Sequence, residues 1–214
     1  MTKLLLITRP YYDITTSYLY HWAGEIIDSI KKKDIQILDL KKGRANKKEF
    51  NSITKKKQPS FVFLNGHGSY DRVTGQDGQV IIKSGENDEL LHDKIVYALS
   101  CKSAKKLGKT SIKEGAQSYI GYTDDFVFCL DQDFVQRPLK DETAKLFLKP
   151  SNQLVNSIIK GHPVRKACER AKDLFKKNAQ KIFVEKSSGE SYLIPYLLWD
   201  MEHLVCEGDD DAVF

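Results

Sequence analysis

FVFLNGHGSYD, residues 61–71, runs four apolar residues up to Asn65 and then presents His67 between two glycines. An uninterrupted apolar run bounded by Pro59 and Asn65-Gly66 predicts a strand buried on both faces, as in a parallel sheet covered by helices. His67 then falls just past the carboxyl end of that strand, the edge where open α/β sheets bind ligands. Taken alone, the stretch fits a glycine-rich turn equally well, so the neighbouring strand has to decide.

Upstream the pattern is βαβ. KLLLITR (residues 3–9) is a first buried strand stopped by Pro10. In the segment that follows, Leu19, Trp22, Ala23, Ile26, Ile27 and Ile30 make one stripe of a 3.6-residue period. Thr15 or Thr16 is expected to cap this helix, and Lys31, Lys32 and Lys33 to complement its carboxyl end. DIQILDL (34–40) alternates as a second strand, so a parallel sheet with a right-handed crossover is expected. Residues 41–57 hold eight basic residues against the single acid Glu49. With Phe50 the only aromatic and no nucleic-acid motif around it, the run reads as a solvated helix face with Phe50 and Ile53 turned to the sheet.

Downstream, residues 69–93 are polar and glycine-rich. They predict a long loop with a small hairpin, in which Asp71, Asp77, Asp88 and His92 are solvated. KIVYALSC then forms a fourth buried strand that ends on Cys101. Two buried strands ending in His67 and Cys101 would lie side by side if paired in a parallel sheet, about 5 Å apart. A histidine beside a cysteine is the minimum apparatus for thiol nucleophilic catalysis: the thiolate attacks and the imidazolium protonates the departing amine.

Composition bounds the rest. The 214 residues, 41% hydrophobic and 29% charged with net charge +5, describe an ordinary globular protein, read as a single domain over residues 1–214. The opening apolar run is too short for a signal peptide and no stretch approaches membrane-spanning length, so a cytoplasmic protein with no membrane partner is expected. Cys101, Cys129, Cys168 and Cys206 form no CxxC pair. They are read as free thiols, Cys168 and Cys206 in core packing, with no metal site.

The order strand-HG, strand-SC, then SAKKLG and GAQSYIGY resembles the caspase-hemoglobinase fold of clan CD cysteine peptidases, most closely the CHAT and gingipain-type branch. IIKGHPVRKACERAK and LLWDMEHLVCEGDDDAVF resemble late elements of the same domains. The resemblance implies a three-layer α/β/α sandwich with a mostly parallel central sheet, and a cysteine endopeptidase acting on protein or peptide substrates without a cofactor. Carried over, His67 is the catalytic histidine and Cys101 the nucleophile, while the backbone N–H groups of Gly68 and Cys101 form the oxyanion hole. It further implies that the loop after QSYIGY lies beside the cysteine. Asp124 and Asp125 would there select a basic P1 residue, or else form a solvated acidic turn. A regulatory protein partner or activator is a further expectation.

Two other function classes compete. One is a catalytically silent interaction module on the same fold. The other is a nucleotide-binding protein, because LGKT (107–110) carries the end of a P-loop, although Ser103 stands where its first glycine belongs. The remaining segments read as scaffold. PLKDETAKLFLKPSNQLVNSIIKG is expected to be helices interrupted at Pro150 with Ser151 as a fresh cap, followed by a helix from Pro163, a last strand and a solvated acidic tail.

Overall fold

The computed structural model describes residues 3–30, 34–184 and 189–214. In chain order the elements are β1 (Lys3–Arg9), α1 (Ile14–Ile30), β2 (Ile35–Lys41), α2 (Lys47–Lys57), β3 (Phe61–Asn65), β4 (Gly68–Ser69), β5 (Arg72–Thr74), β6 (Val80–Lys83) and β7 (Ile95–Leu99). They continue with α3 (Lys109–Lys113), β8 (Ser118–Tyr122), α4 (Glu142–Ile159), α5 (Val164–Val184), α6 (Ile194–His203) and β9 (Leu204–Gly208). Six strands form one sheet in the order β2-β1-β3-β7-β8-β9. All pairs are parallel except β8 with β9, which closes the edge antiparallel.

The unbroken apolar runs follow from burial on both faces. Phe61 and Phe63 of β3, with Ile95, Tyr97 and Leu99 of β7, pack under α1, α4 and α5. Val62 and Leu64, with Val96 and Ala98, join the opposite core against α2 and the segment before α3. Strand periodicity of two therefore splits each run between two hydrophobic layers. Phe50 is buried and Ile53 packs on the second core, as the amphipathic reading of residues 41–57 requires. On the outer face of that segment Lys47 pairs with Glu86 at 2.8 Å and Arg44 with Glu49 at 3.2 Å.

Several local expectations are corrected. Asp13, rather than Thr15 or Thr16, caps α1: its Oδ1 accepts the N–H of Thr16 at 2.7 Å. Thr16 turns its hydroxyl back to the same carboxylate. The proposed role of Lys31–Lys33 at the end of α1 lies outside the described residues. Pro150 does not interrupt the chain but sits inside α4. Proline removes the donor for the carbonyl four residues earlier, and here the Leu146 carbonyl accepts from Asn178 Nδ2 of α5 at 2.7 Å instead. Asn178→Ala is therefore expected to lower unfolding stability by about 1–2 kcal/mol, read as an earlier urea midpoint, because the carbonyl loses its replacement donor.

The loop between β3 and β7 contains a three-stranded antiparallel sheet, β4-β5-β6, in place of a simple hairpin. Within it Asp71 and Asp88 are buried rather than solvated. Asp71 pairs with Arg72 at 2.7 Å, and Asp88 accepts the N–H of Gly85 at 2.8 Å. Asp77 and His92 are exposed as expected. Cys168 and Cys206, distant in sequence, are joined by a disulfide between α5 and β9, which leaves Cys101 and Cys129 as the free thiols. Cys206 is half-buried rather than in the core. In the acidic tail Asp211 pairs with Arg165 at 2.7 Å. No helix of the described residues is long and apolar enough to cross a membrane.

Candidate active site

Four loops of the sheet's carboxyl edge build the site, and the strand ladder sets their positions. β3 and β7 pair in register from Phe61↔Ile95 to Asn65↔Leu99, so the residues just beyond them, His67 and Cys101, leave the sheet from adjacent strands. Asn65 ends its strand by tying it to β1: its backbone N–H donates to Thr8 Oγ1 at 2.9 Å, and its Nδ2 to the Thr8 carbonyl at 3.0 Å. Gly66 turns the chain at φ 151°, where a Cβ would stand 2.2 Å from the Thr74 carbonyl. At Gly68 a Cβ would meet the Cys101 carbonyl and Ser100 Oγ, each at 2.7 Å. The HG and SC strand ends are thus in direct contact, and only glycine allows it.

The backbone of His67 is held by β5, since its carbonyl accepts the N–H of Thr74 at 2.8 Å and the Thr74 hydroxyl at 3.1 Å. Its imidazole, 42% exposed, lies with Nε2 2.7 Å from Asp13 Oδ2. Burial raises the Asp13 carboxyl, but hydrogen bonds from Thr16 and His67 outweigh it and hold the group below the usual carboxylate range. An ionised carboxylate only accepts, so His67 donates from Nε2. Asp13, in contact with His67, is the residue of this candidate site that sequence reading missed. Its available signal was Asp-x-x-Thr directly after the first strand, the spacing of a helix cap.

Cys101 is half-buried and donates its S–H to the Phe126 carbonyl at 3.8 Å. Burial pushes the thiol up to about 11, and the neighbouring Asp125 adds to the rise. The side-chain hydrogen bonds of His67 and Cys101 therefore go to different partners, Asp13 and Phe126, although the two residues sit on adjacent strand ends. The loop above the thiol is pinned from α6. Trp199 Nε1 donates to the Asp125 carbonyl at 2.9 Å, and buried Asp200 accepts the Val127 N–H at 2.9 Å. Burial raises the Asp200 carboxyl well above its ordinary value, against the lowering effect of the Val127 N–H.

Asp124 and Asp125 do lie beside the cysteine, but as partners of lysines in this chain. Lys102 Nζ is 2.6 Å from Asp125 and 3.6 Å from Asp124, and Lys105 Nζ is 3.5 Å from Asp124. The Asp125 N–H, with Lys105 and Lys102, holds the Asp124 carboxyl below its usual range. The P-loop alternative lacks its cradle. The N–H groups of Lys106 and Leu107 donate to the Tyr70 carbonyl, and that of Gly108 to Ser103, each at 3.0 Å. None of these converges on a phosphate position. Among the described residues no three His, Cys, Asp or Glu side chains gather as a metal site requires.

No protein-family model and no curated protein sequence matches this chain. Among solved structures it is similar to separase of Saccharomyces cerevisiae in the separase–securin complex, with a TM-score of 0.51 and 15% identity over 96% of this chain and 12% of that one. It is also similar to iotapain, a secreted C11 cysteine protease of Bacteroides thetaiotaomicron, with a TM-score of 0.45 and 11% identity over 57% of this chain and 52% of that one. The fold, a mostly parallel six-stranded sheet flanked by helices, is caspase-like. The chain spans only about an eighth of the separase chain.

Proposed function

We propose that the chain is a cysteine endopeptidase of the CHAT and gingipain-type branch, with residues 1–214 as one catalytic unit. The observation that carries this is the contact of Gly68 with Ser100 and Cys101, with His67 oriented beside it by Asp13. In the reaction His67 Nδ1 takes the Cys101 thiol proton, the thiolate adds to the scissile carbonyl carbon, and the N–H groups of Gly68 and Cys101 receive the oxyanion. As the tetrahedral intermediate collapses, the C–N bond breaks and His67 passes a proton from Nδ1 to the departing amine. Water then opens the thioester with His67 as base, which returns the thiol. Protein or peptide substrates and a regulatory partner follow from the same proposal.

A basic P1 preference rests on Asp124 and Asp125, and a substrate Lys or Arg would have to displace Lys102 from both carboxylates. A cytoplasmic location fits the free Cys101 and Cys129, whereas the Cys168–Cys206 bond fits an oxidising compartment.

A second reading, the silent module, is favoured by one observation: the thiol is hydrogen-bonded to Phe126 and held protonated. Iodoacetamide separates the two. In the resting protein the alkylation rate of Cys101 should climb with pH toward an apparent value near about 11, above the ordinary thiol range of about 8.5. Thiolate is the reactive form. With a fluorogenic peptide library, the endopeptidase shows cleavage that disappears in step with Cys101 alkylation. Absence of any cleavage, or cleavage untouched by alkylation, defeats the endopeptidase assignment.

A further inference from the structure

We propose that the cleft beside Asp13 is a substrate subsite for a bulky apolar side chain close to the scissile bond. This rests on the endopeptidase proposal and adds the substrate class. The cleft encloses about 340 Å³, with Tyr11, Tyr12 and Ile14 on one side, Val135 and Gln136 on the other, and Asp13 shared with His67. It opens where the strand order reverses, since the chain places β2 on one side of β1 and β3 on the other. Ligands of open α/β sheets bind at that crevice.

Three observations fix the chemistry. First, the two tyrosine rings, Ile14 and Val135 give the cleft an apolar part beside Ser17 and Gln136, and that part is open: Tyr11 is 40%, Tyr12 36% and Ile14 47% exposed. Second, the lining has one ionised group, Asp13, and both its oxygens are engaged, Oδ1 by Thr16 and Oδ2 by His67. A substrate cation therefore finds no free carboxylate. The Tyr11 ring also already faces the Lys42 ammonium at 5.1 Å. A substrate carboxylate would meet the charge of Asp13, which leaves an uncharged, aromatic or branched side chain as the best occupant. Third, the wall is fixed before binding, because Gln76 takes the Tyr11 N–H at 2.9 Å and donates to the Tyr11 carbonyl at 3.0 Å. A pre-set wall lowers the ordering cost of binding.

The distance is suitable. β1 is two strands from β7, so the cleft stands about 10 Å from the thiol at ~4.8 Å per strand, within about three residues of the bond in an extended peptide.

The test is positional scanning of fluorogenic peptides with wild type, Ile14→Glu and Val135→Glu. Neither substituted residue belongs to the catalytic machinery, and equal urea midpoints together with equal Cys101 alkylation rates establish that the fold and thiol are intact. Wild type should prefer aromatic or branched aliphatic residues at one position. Both variants should lose about 10- to 100-fold in kcat/KM for those peptides, mainly through KM, while cleavage of peptides that are polar at that position changes little. Cleavage by wild type with no apolar preference, or a preference that survives both substitutions, overturns the subsite alone. No cleavage of any peptide by wild type overturns the endopeptidase proposal and the subsite with it. If one variant misfolds, the other decides.

Discussion

Cys101→Ala should abolish peptide cleavage, lowering kcat by at least about 10⁴-fold, because the covalent step passes through the Cys101 sulfur. The free thiol elsewhere, Cys129, lies in the long segment before α4. The other two cysteines are bonded to each other. Alanine removes one sulfur from a half-buried position where it donates to the Phe126 carbonyl, so the fold should be retained with a change within about 1 kcal/mol. The decisive comparison is cleavage rate against urea midpoint in the same preparation. A variant that keeps a tenth of the wild-type rate would remove Cys101 from the chemistry.

Asp13→Asn carries the second large effect and is the sharper probe of geometry. Asparagine caps helices as well as aspartate does, and its carbonyl oxygen would keep the Thr16 N–H that Asp13 now accepts at 2.7 Å. That choice turns the amide NH₂ toward His67 Nε2, 2.7 Å from the present carboxylate oxygen. Nε2 must then accept, its proton moves to Nδ1, and the imidazolium loses its anionic partner. The expected result is a fall in kcat/KM on the order of 10²- to 10⁴-fold with helix stability within about 0.5 kcal/mol of wild type. An unchanged kcat/KM would mean that Asp13 serves only as a cap.

Much of the fold was legible because burial on both faces writes itself into sequence as unbroken apolar runs. KLLLITR, FVFL and KIVYAL each became a strand of the six-stranded sheet. The placement of His67 and Cys101 was legible for the same reason: each run stops on a chemically capable side chain, and register aligns the stops. What sequence did not reveal depended on contacts between distant segments. Pro150 looked like a helix break because the Asn178 side chain that relieves it comes from another helix. The Cys168–Cys206 bond is invisible to spacing rules when its halves lie 38 residues apart. Asp124 and Asp125 looked available because the lysines that occupy them, Lys102 and Lys105, precede them by a whole helix and strand.

The β3–β7 ladder also has a consequence for how precisely the site is held. Its five consecutive residue pairs work as a ruler, and each rung is about 3.3 Å. The separation of His67 from Cys101 is thus inherited from main-chain pairing in the middle of the sheet, while the loops beyond it carry the side chains. A slip of one rung would displace the sulfur by a full residue and turn it to the opposite face, whereas substitutions in the loops leave the ruler unmoved. Positional accuracy and chemical identity are stored in separate parts of the chain. The loops can therefore change their chemistry with little penalty to the framework that aligns them.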